Sequence, residues 1–66
     1  FMAEEGSRIT KSKIRDMRLP ADTNIGAIVR AGEGILVNGD TQILQGDQVV
    51  VFCKNQVIRQ LEKFFQ

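Results

Sequence analysis

Few side chains in this sequence are equipped for chemistry. Its 66 residues hold one cysteine and no histidine, so the commonest general base is missing and Cys53 has no imidazole to activate it. The same counts leave no disulfide framework and no credible zinc site. Cys53 ends the apolar run Val49-Val50-Val51-Phe52, where a thiol is expected to be a buried, inert core group. Asp40 and Asp47 could be imagined as a catalytic or metal-binding pair. Each directly follows a glycine, however, and no EF-hand spacing surrounds them. Glycine supplies a positive φ at little cost and aspartate bonds neighbouring amides, so Gly39-Asp40 and Gly46-Asp47 read as structural turns. No metal and no catalysis are expected.

The remaining candidates are basic or glycine-rich. Gly32-Glu33-Gly34 matches only part of a dinucleotide loop; the third glycine is absent, and Ile35-Leu36-Val37 follows where a helix should begin. Arg8, Lys11, Lys13, Arg15 and Arg18 form a basic segment of net charge near +2 once Glu4, Glu5 and Asp16 are counted. It lacks the interleaved aromatics or larger basic field that a nucleic-acid polymer calls for. A solvated helix face is the simpler reading, with anion capture as the alternative. Arg30 closes an apolar strand beside a glycine-rich connection. It either reaches water as a strand-end charge or presents its guanidinium to a phosphate-bearing ligand at a subunit seam.

The elements that must position these groups centre on Asn38–Phe52, NGDTQILQGDQVVVF, where two Gly-Asp turns frame a short extended piece, Thr41–Leu44. The second turn feeds a strand, Gln48–Cys53, whose four β-branched or aromatic residues in a row predict burial. Phe1–Ala3 reads as the tail of a strand. A short helix is predicted over Lys11–Met17, capped by Thr10 or Ser12 and stopped ahead of Pro20. Asp22-Thr23-Asn24 turns into a strand at Ile25–Arg30, where the small Gly26 and Ala27 allow another backbone close approach. Ala31–Gly34 is a hairpin connection and Ile35-Leu36-Val37 its returning strand. At the end, Val57, Ile58, Leu61, Phe64 and Phe65 form a helical apolar stripe, with Asn55 as its cap. The expected class is α+β: a small, mostly antiparallel sheet with a short N-terminal helix and an amphipathic C-terminal one.

A chain of this length makes a single domain, residues 1–66, and buries only about 60% of its unfolded surface. Such domains lean on disulfides, metals or partners, so a homodimer is expected. The net charge of +1 and 42% apolar content are those of an ordinary globular domain. No apolar run approaches the roughly 18 residues that a membrane helix requires, so no direct insertion is expected. A free cysteine fits a reducing compartment. The opening Phe1-Met2-Ala3-Glu4-Glu5 reads as a cut through an element, so the domain is expected to be excised from a longer chain.

Leu19-Pro20, the strand Ile25–Arg30, Gly32-Glu33, Gly39-Asp40-Thr41, Gly46-Asp47 and Val49–Phe52 come before an amphipathic helix ending Leu61-Glu62-Lys63-Phe64-Phe65. This order resembles the TrkA-C domain, also called RCK-C. Ser7-Arg8-Ile9 and Lys13–Met17 are similar to the family's first helix region. The resemblance implies a regulatory module, not an enzyme: the C-terminal lobe of a cytoplasmic subunit that regulates potassium uptake from the inner face of a membrane transporter. It further implies a dimer with a small effector, such as a cyclic dinucleotide or nucleotide, between or beside the subunits. NAD(H) or an adenine nucleotide would belong to a preceding Rossmann lobe, with no cofactor in this domain. Val37 and Asn38 depart from the Pro-Arg commonly seen before the family's first Gly-Asp, which puts any ligand contact of that arginine in question. Asn24, Ile25, Arg30 and Asn38 flank the small-residue strand and its turns, and are the candidate seam or ligand positions. The alternatives are a purely structural oligomerisation domain, or the same module in another cation antiporter or permease.

Overall fold

The computed structural model describes residues 1–66. The apolar stripe at the chain's end becomes a helix, α1 (Ile58–Phe65), entered through a 3-10 turn at Asn55–Val57. Leu61, Phe64 and Phe65 are buried, Val57 is half-buried, and Ile58 at the first turn is exposed. The capping differs from expectation. Lys54 precedes the 3-10 turn, Val57 precedes α1, and neither makes a side-chain cap bond. At the other end of α1 the Glu4 amide donates to the Phe65 carbonyl (3.3 Å), satisfying an oxygen that has no partner within the helix. The Phe1 ring stacks on Phe65 with centroids 4.8 Å apart.

Phe64 and Phe65 of this helix join the core that lies against one face of a three-stranded antiparallel sheet of β1 (Asn24–Arg30), β2 (Glu33–Leu36) and β3 (Gln48–Phe52), in the order β2-β1-β3. The β1–β2 turn is only Ala31-Gly32, with φ of 51° and 80°. Positive φ at both central residues of a two-residue hairpin marks a type I′ turn. Glu33 and Gly34, expected in the connection, therefore already pair with Arg30 and Val29. A bulge lies between Ile25 and Ala27, opposite Val51 and Val50. The extra residue puts Ile25 and Ile28, three apart, on the same inner face. Ile28 is fully buried between Ile35 and Val49, and Ala3, Ile9, Ile43, Phe64 and Phe65 complete the core. The approach allowed by Gly26 comes from a ring, not a backbone: a β-carbon there would lie 2.6 Å from Phe52 Cε2.

Three other expectations change. No α-helix forms over Lys11–Met17. Two 3-10 turns, Arg8–Thr10 and Ile14–Asp16, flank Lys13, which bridges to Gln42. The Ile14 and Arg15 amides donate to the Thr41 and Gly39 carbonyls (3.1 and 2.9 Å). So short a helix is unstable by itself, and contacts with a distant loop take its amides. Next, β3 is buried on one side only. Val49 is buried and Val51 half-buried, whereas Val50 and Phe52 face outward and Cys53 is half-buried. Nothing within this chain covers the sheet's second face, so an unbroken apolar run did not mean two-sided burial. Finally, the two Gly-Asp turns differ: Gly46 has φ +88°, while Gly39 does not adopt positive φ and instead lies against the Arg15 side chain. Phe1–Ala3 does extend along the start of β3, with Met2 bridged to Gln48, and Thr41–Leu44 contributes only the Gln42 bridge.

Candidate functional site

Asp47 is the buried carboxylate, 1% exposed. Arg30 Nε donates to its Oδ1 at 2.9 Å, Arg30 Nη2 to its Oδ2 at 2.8 Å, and the Leu44 amide also reaches Oδ2 at 2.9 Å. The planar guanidinium suits this bidentate grip. Arg30 Nη2 further donates to the Gln42 carbonyl (3.2 Å), and Gln42 Nε2 to that of Thr10 (2.6 Å). One ion pair thus ties the end of β1 to the Gly46 turn. The hydrogen bonds from Arg30 hold the Asp47 carboxyl below the usual carboxylate range against the opposing effect of burial, and the Leu44 amide adds to the lowering. The same pairing raises Arg30.

The other candidate positions lie elsewhere. Asn24 is exposed at the start of β1 opposite Phe52, and Ile25 packs inward against the core. Asn38 shapes its own turn: its Oδ1 accepts from the Asp40 amide (2.8 Å) and its amide donates to Thr41 Oγ1 (3.0 Å). Asp40 pairs with Arg15 at 2.9 Å, an exposed contact. The antiparallel register places Asn24, Ile25 and Asn38 at one end of the sheet. Arg30 closes the other end, roughly 20 Å away at the usual rise per strand residue. The four positions therefore do not converge on one point.

The sheet's outer face does bring residues together, and the sequence reading missed it. Ala27 pairs with Leu36 on one side and Val50 on the other, making an apolar row across all three strands. Val29 lies between Gly34 and Gln48 in a second row, and Asn24 opposes Phe52 in a third. Leu36 is 87% exposed, Phe52 64% and Val50 44%. No outward position on these rows carries a charge. The available signal was that Leu36, Val50 and Phe52 occupy positions where a solvated face would carry polar side chains.

The architecture is that of an RCK domain. A solved structure described as "Structure of RCK domain with cda" matches with a TM-score of 0.79, covering 98% of this chain and 90% of that one at 23% identity. The family model of the TrkA-C domain matches residues 1–66, and the chain belongs to that family. It is 39% identical over 64 residues to the Trk system potassium uptake protein TrkA of Vibrio alginolyticus, covering 96% of this chain. To the Trk system potassium uptake protein TrkA homolog of Archaeoglobus fulgidus it is 38% identical over 60 residues, covering 91% of this chain. It spans 14% of the length of each of these relatives. No helix of the domain is long and apolar enough to cross a membrane.

Proposed function

We propose that this domain is the self-pairing, effector-sensing lobe of a cytoplasmic regulator of potassium uptake, acting on a membrane transporter subunit and catalysing nothing itself. The uncovered apolar face carries this reading. Leu36, Ala27, Val50 and Phe52 form a charge-free surface on a chain that exposes 4521 Å² in all, and a standard interface takes about 800 Å² from each partner. A second copy meeting the first across this face would complete the domain's burial. Any small molecule that binds the paired form more tightly would bias the equilibrium by its differential affinity. The regulatory assignment rests on the Trk relatives, and the effector class, a cyclic dinucleotide or nucleotide, on what the family resemblance implies; the neighbour of the same fold was solved "with cda". NAD(H) or an adenine nucleotide would act in a separate Rossmann lobe of the longer protein.

Sedimentation of the wild type and of Val50→Asp tests the pairing. The wild type is expected to sediment as a dimer at micromolar concentration, and the variant as a folded monomer. A monomeric wild type would remove the basis of the reading. One observation favours a second, purely structural reading: Arg30 is engaged with Asp47 and Asn38 with its own turn. Melting with candidate effectors separates the two. A ligand at a hundredfold its Kd adds about 2.7 kcal/mol, a rise of roughly 10 °C or more for so small a domain. No rise with cyclic dinucleotides or nucleotides, in an intact dimer, would leave only the structural role.

A further inference from the structure

A shallow groove of about 370 Å³ opens where the first 3-10 turn meets α1, on the helix side of the sheet. Its lining is Arg8, Arg18, Pro20, Gln60, Lys63 and Phe64. We propose that this groove is a docking site for a phosphate-bearing anion, one per chain and separate from the outer sheet face.

Three separate pieces of chain bring a cation here: Arg8 from the first turn, Arg18 from the segment before Pro20, and Lys63 from the last turn of α1. None of the three is ion-paired, whereas Arg15, Arg30 and Lys54 are matched to Asp40, Asp47 and Asp22. No carboxylate lines the groove. The buried Phe64 ring forms one wall, and the guanidinium carbon of Arg8 lies over it at 4.2 Å from the centroid. A cation over a ring is held by its charge, and the guanidinium carries several N–H donors of the kind that grip phosphate oxygens. Gln60 adds a neutral donor and acceptor. A multiply charged anion gains from several cations at once, whereas a monovalent carboxylate can match only one. The volume is of the size that holds part of a small ligand. The same chemistry is offered by a soluble phosphate ester and by a phospholipid headgroup.

Two arms distinguish these sources. Inorganic pyrophosphate is titrated into the chain by calorimetry, and phosphatidylcholine vesicles with and without phosphatidylglycerol are tested by co-sedimentation. Saturable binding in the first arm assigns a soluble ligand, and binding only to the anionic vesicles assigns a lipid. In either case Arg8→Gln and Lys63→Gln are each expected to weaken binding about tenfold, the loss of one charge-assisted contact, with Lys11→Gln without effect. Lys63 is exposed, so its variant keeps the test interpretable if removing Arg8 from the Phe64 ring lowers the melting temperature. The monomeric Val50→Asp variant is expected to bind as the wild type does. No binding in either arm would overturn the proposal. So would equal loss in Lys11→Gln, which would indicate diffuse charge, or loss in Val50→Asp, which would move the anion to the seam.

Discussion

At the residue scale the domain depends on one carboxylate. Asp47 accepts three hydrogen bonds while almost fully buried, so Asp47→Asn should cost about 2 kcal/mol, the order of a charged hydrogen bond lost in the interior. Its folded pKa lies below the reference 3.8. It therefore contributes stability that is present above that value and is lost as the pH falls below it towards the lower folded value. Urea midpoints measured from pH 6 down to pH 3 should fall for the wild type, and fall less for Asp47→Asn; parallel curves would refute the assignment. Gly46-Asp47 was readable as a turn because that information is local. The partnership with Arg30, 17 residues away, was not, because only the folded register brings the two together.

At the scale of elements, the terminal helix was plain from spacing alone, since Leu61, Phe64 and Phe65 recur at helical intervals and are buried together. Phe64→Ala should cost about 3–5 kcal/mol, enough to unfold most of a domain this small at 37 °C, and a thermal melt reads it directly. The segment Lys11–Met17 carried a similar local hint in Ile14 and Met17. It went astray because the Gly39–Thr41 loop recruits its amides, which no window on the segment reveals. The hairpin offers a gain. Ala31 holds φ 51° without being a glycine or asparagine, a conformation that costs an ordinary residue about 1–2 kcal/mol. Ala31→Asn is expected to stabilise by about 0.5–1 kcal/mol in equilibrium unfolding.

At the scale of the whole molecule, the sheet has one face inside and one apolar face bare. The run Val49–Phe52 announced hydrophobicity correctly, but a sequence does not say whether the second face meets its own chain or another. If pairing covers that face, stability depends on mass action, and the melting temperature should rise with protein concentration. Val50→Asp should abolish that dependence. Gly26 beneath the Phe52 ring offers a finer handle on the same surface. A methyl group placed there would swing the aromatic away from the strand and remodel the contour shown to a neighbouring molecule, while Ile28 and the helix stay where they are. Gly26→Ala should thus alter assembly more than it alters folding, separating two properties that most substitutions in so small a protein would change together.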